Sequence, residues 1–157
     1  MGATETTIDL LAIGELLVDL ISTEPTDSLA TASRFERYQG GSPANIAVNV
    51  ARLGGRAAVM ARVGDDALGV FLRQELADAG VQVADVQTDG DAHTSVVLVA
   101  RTATTPDFLP MRDADFRLDP ADLEASVARA RAVHTSTWPL SREPARQCAV
   151  RGLHLAH

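Results

Sequence analysis

The chain has 157 residues, of which 46% are hydrophobic and 22% charged, and its 14 basic and 21 acidic residues give a net charge of −7. This composition indicates one globular domain and excludes a disordered chain, while scattered single arginines in an acidic background argue against a nucleic-acid partner. The first twenty residues lack a basic start and a long apolar run, and the single cysteine cannot form an internal disulfide, so we expect a cytoplasmic protein without a signal peptide or membrane span.

Short apolar runs bounded by glycine predict the first strands. Residues 8–13 form one run that ends at Gly14, and residues 16–21 form a second. The stretch from 23 to 39 is polar with a few aromatics. It predicts a loop or a short strand.

The segment after the paired glycines predicts the clearest helix. Ser42 is expected to cap it, Pro43 suits the first helical position, and apolar residues recur at helical spacing up to Gly54. A strand over 56–63 and a second helix, capped by Asp65 or Asp66 and stopped at Gly80, follow.

The second part of the chain continues this alternation. A β-branched run at 94–101 is expected to form a hairpin with 108–111. A helix after Asp119, a buried strand over 132–136 and a last helix from near Ser141 follow. The order of elements predicts an α/β fold with a mostly parallel sheet and helices on both faces.

Residues 40–45 (GGSPAN) lead from a strand end into a helix start. Adjacent glycines let a ligand approach the backbone, and the N–H groups of a first helical turn can meet a polar ligand. Asn45 could exchange hydrogen bonds with hydroxyl groups there. On spacing alone, a tight turn before an ordinary Ser-Pro helix start is the favoured explanation of the segment.

A resemblance narrows this choice. Residues 40–47 (GGSPANIA), 52–55 (RLGG), 63–69 (VGDDALG) and 13–20 (IGELLVDL) resemble the N-terminal signature of the PfkB, or ribokinase-like, carbohydrate kinases. The similarity is closest to fructokinase-like and 2-keto-3-deoxygluconate-kinase-like members and extends over essentially the whole chain.

The resemblance implies the N-terminal part of a single ribokinase-like domain over residues 1–157, truncated about halfway. It places the strands of a small β lid near 16–39 and 94–112, and it leaves open a homodimer formed through that lid. Helices are expected on both faces of the main sheet.

The resemblance also implies the sugar-binding residues. Asp19 would accept hydrogen bonds from sugar hydroxyls, Gly40 and Gly41 would bring backbone to the sugar, and Asn45 would bond another hydroxyl. Arg112 is similar to an arginine that contacts acidic sugars in some members. A solvated edge-strand residue remains the alternative for Asp19, and a surface arginine the alternative for Arg112.

ATP and Mg²⁺ are the cofactors that the family implies, yet this sequence lacks the segment that would hold them. It contains no G-x-x-x-x-G-K-[ST] loop and nothing similar to the family's D-T-x-G-A-G-D segment, which supplies the anion hole and the base. No catalytic residue is therefore assigned. The four histidines show no metal-ligand spacing, so we predict no metal site.

The sequence thus predicts an ATP-dependent kinase of a sugar hydroxyl, of which this chain carries the sugar-binding half and lacks turnover by itself. Two alternatives stay open, namely a catalytically inactive sugar-binding or oligomerisation module and a truncated gene product. The sequence does not decide among fructose, 2-keto-3-deoxygluconate, ribose and a nucleoside.

Overall fold

The structure is a computed structural model and describes residues 8–157. The eight strands, in chain order, are β1 Leu10–Ile13, β2 Leu17–Pro25, β3 Phe35–Gly40, β4 Ala57–Gly64, β5 Val86–Asp89, β6 Val96–Arg101, β7 Asp107–Met111 and β8 Val133–Thr135. The four α-helices are α1 Ser42–Arg52, α2 Ala67–Asp78, α3 Leu123–Ala128 and α4 Ala145–Leu155, and single 3₁₀ turns cover Ala114–Phe116 and Pro139–Ser141.

The main sheet is parallel throughout, in the order β5-β4-β1-β8. Leu10 to Ile13 of β1 pair with Ala57 to Met60 of β4 on one side, while Leu11 to Ile13 pair with Val133 to Thr135 of β8 on the other. The chain runs outward from β1 to β4 and β5, and later returns to place β8 on the opposite side of β1. The strand order therefore reverses between β1 and β8.

Alternation along β1 builds one hydrophobic core on each face of the main sheet. Ala12 belongs to the core that α1 and α2 cover, together with Ala47 and Leu72. Leu11 and Ile13 face the other core, which contains side chains of α3 and α4. Helices thus cover both faces, which the βαβα order of the sequence predicts.

The second sheet has the order β3-β2-β6-β7 and mixed pairing. β2 is antiparallel to β3 and parallel to β6, and β6 and β7 form the expected antiparallel pair. Val18 and Val96 join the core beneath α1 and α2, and the Arg37 guanidinium lies 3.8 Å from the centre of the Phe71 ring on α2. One face of the second sheet therefore packs against the helical layer.

Two elements differ from the sequence-based expectations, and a third, predicted as a loop or a short strand, is a strand. β5, which reads Val-Gln-Thr-Asp, has no apolar run and forms because β4 offers an open edge for pairing. The polar stretch before Gly40 is the regular strand β3. The last helix begins at Ala145 rather than near Ser141, because the backbone at Arg142 is extended and Pro144 disfavours helical backbone at the residue before it. No helix within residues 8–157 is long and apolar enough to cross a membrane.

Candidate acceptor pocket

A pocket of about 190 Å³ lies where the main sheet reverses its strand order. Glu15 follows the carboxyl end of β1, and Trp138 lies three residues beyond the end of β8. Open parallel sheets bind ligands in the crevice outside such a reversal. The pocket is lined by Glu15, Leu17, Asp19, Gly41, Ser42, Val97, Phe108 and Trp138. The second sheet supplies half of these residues and forms one wall.

Gly41 shapes the entry to α1. Its φ of +102° lies in a region that side chains rarely adopt, and a Cβ there would collide with the backbone oxygen of Glu15. Gly41 is the N-cap of α1 and provides no side chain. Ser42 is the first helical residue rather than the cap, because the first helical hydrogen bond runs from the N–H of Asn45 to the carbonyl of Gly41. The carboxylate of Glu15 accepts the free N–H of Ser42 at 3.0 Å.

Asp19 projects from β2 into the pocket and packs against Gly40. A Cβ on Gly40 would collide with Oδ2 of Asp19, so the carboxylate occupies space that only glycine leaves free. The side chain of Asp19 has neither a hydrogen bond nor an ion pair with any residue in 8–157. Burial raises its pKa above the ordinary value. A half-buried carboxylate without a partner is an open acceptor for a ligand's hydroxyl groups.

Glu15 is the more deeply buried carboxylate, with 4% of the residue exposed. Besides the N–H of Ser42, it accepts the hydroxyl of Ser136 at 2.9 Å. Burial is the largest influence on its pKa and raises it, and the charge of Asp115 acts in the same direction. The hydrogen bonds from Ser136 and Ser42 oppose the shift without cancelling it. Glu15 thereby links the ends of β1 and β8 to the start of α1.

A second polar network supports Trp138, which lines the pocket. Asp115, 1% exposed, accepts the indole N–H of Trp138 at 3.1 Å and the Nε of Arg112 at 2.8 Å. The hydroxyl of Ser95 donates to the other carboxylate oxygen of Asp115 at 2.6 Å. The Arg112 guanidinium also donates to Ser141 and lies 4.8 Å from the Trp138 ring centre. These contacts hold the indole in place beside the pocket.

A larger concavity of about 600 Å³ lies at the start of α2, lined in part by Asp66, His93, Met111 and Arg112. Asp66 is occupied there, because it accepts the N–H groups of Leu68, Gly69 and Thr94. The smaller pocket is the better candidate site, since Asp19 is left without a partner and the pocket lies at the strand reversal.

Comparison with known proteins decides the family. The family model described as pfkB family carbohydrate kinase matches residues 7–151. The chain belongs to the pfkB family of carbohydrate kinases. It is 39% identical over 139 residues to an ATP-dependent 6-phosphofructokinase of Thermoanaerobacterium thermosaccharolyticum, covering 88% of this chain and 42% of that protein.

Solved structures of a fructokinase and of another sugar kinase agree in fold. Halothermothrix orenii fructokinase superposes with a TM-score of 0.89 at 40% identity, covering 95% of this chain and 53% of that chain. A sugar kinase from Pyrococcus horikoshii in complex with ATP gives 0.88 at 35% identity, with coverages of 92% and 48%. The predicted ribokinase-like fold class is confirmed. The chain spans about half the length of the relatives it matches.

The structure brings some of the predicted pfkB site residues together and separates others. Asp19 and Gly41 line the pocket, and Gly40 lies under the Asp19 carboxylate. Asn45 lies outside the pocket lining, on the exposed side of α1, where its amide oxygen accepts a hydrogen bond from Gln39 at 3.1 Å. Arg112 faces Asp115 and the larger concavity. The sugar contacts assigned to Asn45 and Arg112 stay predictions.

Glu15 and Trp138 line the pocket and were not predicted as site residues. Each had a signal in the sequence, because each follows a strand that the apolar pattern predicts, and carboxyl ends of parallel strands converge at one edge. That signal becomes specific only when β8 is known to lie beside β1, which is a fact of topology rather than of local pattern.

Proposed function

We propose that this chain forms the sugar-binding part of an ATP-dependent carbohydrate kinase, and that the pocket between β1, β8 and the second sheet holds the sugar. The observation that carries the proposal is the unpartnered carboxylate of Asp19, seated on Gly40 inside that pocket. Membership of the pfkB family supports the reaction class.

The chemistry of the pocket suits a sugar. A carboxylate can accept two hydroxyl donors at once, and such charge-assisted hydrogen bonds are about twice as strong as neutral ones. Gly41 lets a ligand come close to the backbone at the start of α1 without meeting a Cβ. The apolar surface of Trp138 and Val97 can pack against the C–H groups of a sugar ring.

We further propose that the second sheet acts as a lid. Leu17 and Asp19 of β2, Val97 of β6 and Phe108 of β7 all project from it into the pocket wall. A change in the position of this sheet would therefore open or close the sugar site. Closure would exclude water from the reacting hydroxyl.

ATP and Mg²⁺ belong to the proposed reaction, but the described residues do not fit a site for either. No group of three or more His, Cys, Asp or Glu side chains between residues 8 and 157 is arranged to hold a metal ion. Asp66, at the start of α2, would repel phosphate and already caps the helix. We therefore derive no step of the transfer from this part of the protein.

Sugar binding can be measured directly, because Trp138 is the only tryptophan of the chain and lines the pocket. We expect D-fructose to change the indole fluorescence saturably and calorimetry to give the same dissociation constant. A folded chain that shows no binding of fructose, ribose or other polyols up to about 50 mM would refute the sugar-binding proposal.

Asp19→Asn tests the role of the carboxylate. It keeps the shape of the side chain and replaces one acceptor oxygen by a donor, so we expect sugar affinity to fall at least tenfold, about 1.4 kcal/mol. Asp27→Asn, at an exposed loop position, removes the same charge and should bind like the wild type. Equal affinities in the two variants would contradict the assignment.

Turnover is a separate test. We expect no ADP release by the 157 residues alone with ATP, Mg²⁺ and fructose, since this sequence lacks the segment to which the family resemblance assigns the base and the anion hole. A coupled ADP assay checks this expectation, and sustained turnover would overturn it while leaving the sugar site intact.

A further inference from the structure

Two carboxylates face the proposed sugar pocket, and neither is neutralised by a cation from residues 8–157. Glu15 and Asp19 both line it, and neither takes part in an ion pair formed within residues 8–157. The hydrogen bonds that Glu15 accepts come from Ser42 and Ser136, which are neutral donors. The pocket therefore carries uncompensated negative charge on two sides.

By the family resemblance Arg112 is the residue that would contact an acidic sugar, but its guanidinium already has partners within the protein. Its Nε donates to Asp115 at 2.8 Å, and Nη2 approaches the same carboxylate to 2.6 Å as an ion-pair contact outside hydrogen-bond alignment. Nη1 donates to the hydroxyl of Ser141. Arg112 is not among the residues that line the pocket. Its charge is matched by Asp115 before any ligand arrives.

The remaining wall of the pocket is apolar. Leu17, Val97, Phe108 and Trp138 face the carboxylates and Ser42. A ligand that fits both sides needs hydroxyl donors on one edge and C–H groups on the other. An added carboxylate or phosphate would meet the like charge of Glu15 and Asp19 or the apolar wall, and both are unfavourable for an anion. At the start of α1, the N–H of Ser42 already donates to Glu15.

We infer that the pocket selects neutral, unphosphorylated polyols, and that Glu15 is a specificity-determining residue that rejects anionic sugars. This inference rests on the proposed sugar site. It goes further by excluding phosphosugars and aldonic or ketoaldonic acids as preferred acceptors. Glu15 performs this role through its charge, in addition to fixing the start of α1.

The first test compares three probes on the wild-type chain by calorimetry and indole fluorescence, namely D-fructose, D-gluconate and D-fructose 6-phosphate. We expect fructose to bind at least tenfold more tightly than either anion at pH 7 and low salt. Raising the salt to about 0.5 M should lower the ratio of fructose affinity to anion affinity, because salt screens the repulsion between the pocket carboxylates and an anionic sugar. Equal or tighter binding of either anion would overturn the inference.

The second test replaces Glu15 by glutamine. Glu15→Gln keeps an oxygen for the N–H of Ser42 and an amide for Ser136, so the turn should persist. We expect the affinity of both anions relative to that of fructose to rise about tenfold, and this ratio, rather than the fructose affinity itself, is the readout. Glu124→Gln makes an equal charge change at an exposed position on α3 and should leave the ratio of anion affinity to fructose affinity unchanged.

The outcomes separate the two claims. If the folded chain binds no polyol, both the proposed sugar site and this inference are wrong. If it binds neutral and anionic sugars equally well, only the inference is wrong. If Glu15→Gln misfolds, the role of charge can be tested on the wild-type protein instead, by measuring how the ratio of fructose affinity to anion affinity changes with pH. Burial raises the pKa of both Glu15 and Asp19, so their protonation as the pH is lowered from 7 to 4 should reduce discrimination against gluconate and fructose 6-phosphate, and a flat profile over that range would overturn the role of charge.

Discussion

The carboxylate of Asp19 occupies the volume that a side chain at position 40 would need, since a Cβ on Gly40 would overlap Oδ2 and crowd the other carboxylate atoms. In the antiparallel pairing of β2 with β3, residue 17 lies opposite residue 40 and residue 19 lies opposite residue 38. Asp19 and Gly40 are therefore diagonal neighbours on the two strands, which places the carboxylate over the glycine. The absence of a side chain at 40 therefore sets the position of the acceptor oxygens.

Gly40→Ala should displace Asp19 without unfolding the protein. The colliding atoms are the end of a side chain, which can rotate away, so we expect a loss of stability of no more than about 1 to 2 kcal/mol. Sugar affinity should fall tenfold or more, because the acceptor leaves its place. Gly90→Ala is the matched control, since nothing lies within 4 Å of the added carbon. Unchanged fructose binding in Gly40→Ala would contradict this account.

Gly41→Ala should damage the fold itself. The added carbon meets the backbone oxygen of Glu15, which cannot rotate away, and φ is +102°. Gly80→Ala isolates the cost of a positive φ alone, about 1 to 2 kcal/mol, because its φ is +83° in open space. We expect Gly41→Ala to cost at least about 2 kcal/mol more in urea denaturation. Similar midpoints for both variants would show that the turn at Gly41 is not tight.

Stability should depend on the ionisation of Asp66. Burial acts to raise the pKa of this carboxyl, but hydrogen bonds from Thr94, Gly69 and Leu68 outweigh it and hold the pKa below its ordinary value. Because the folded pKa is depressed, this stabilisation is complete above about pH 4 and is lost as the pH falls through the folded pKa. Acid denaturation of the wild type should show that loss.

Asp66→Asn should remove part of that pH dependence. The variant cannot accept the N–H of Thr94 through its amide nitrogen, so we expect a cost of about 1 to 2 kcal/mol at pH 7 that shrinks below pH 4. Asp65→Asn changes an exposed neighbour and serves as control. Parallel stability curves for wild type and Asp66→Asn from pH 7 to 3 would refute the role of ionisation.

Cys148 should react only when α4 leaves the sheet. It is fully buried in the core between β1 and α4, and burial raises the pKa of its thiol to about 11. Since the thiolate is the reactive form, native protein at pH 8 should resist an alkylating reagent. Labelling in increasing urea should follow the unfolding curve. Rapid labelling of native protein would show that α4 detaches separately from the rest of the fold.

Local patterns in the sequence predicted most of the fold. The apolar runs of β1 and β4, and the Asp66 cap and Gly80 stop of α2, are signals that neighbouring residues determine. The strand β5 was not predicted, because its pairing with β4, rather than its own composition, makes it a strand. Local propensity is a weak guide where a partner edge supplies the stabilisation.

The candidate site was predictable to a smaller extent. The paired glycines and Asp19 were identified from motif and resemblance. Glu15 was missed because its role depends on Ser42 and Ser136, which lie 27 and 121 residues away in the chain. Asn45 was placed in the right turn of α1, but the direction of its side chain depends on Gln39 at the end of β3. Such contacts become visible only in three dimensions.

The Glu15 carboxylate ties three distant stretches of chain into one unit, and this has a consequence for local motion. Loosening of the segment after β8, or of the first turn of α1, would strip the carboxylate of its donors and open the binding site at the same time. A ligand held by the assembled site would therefore slow hydrogen exchange jointly at residues near 15, 42 and 136, although these amides belong to separate elements.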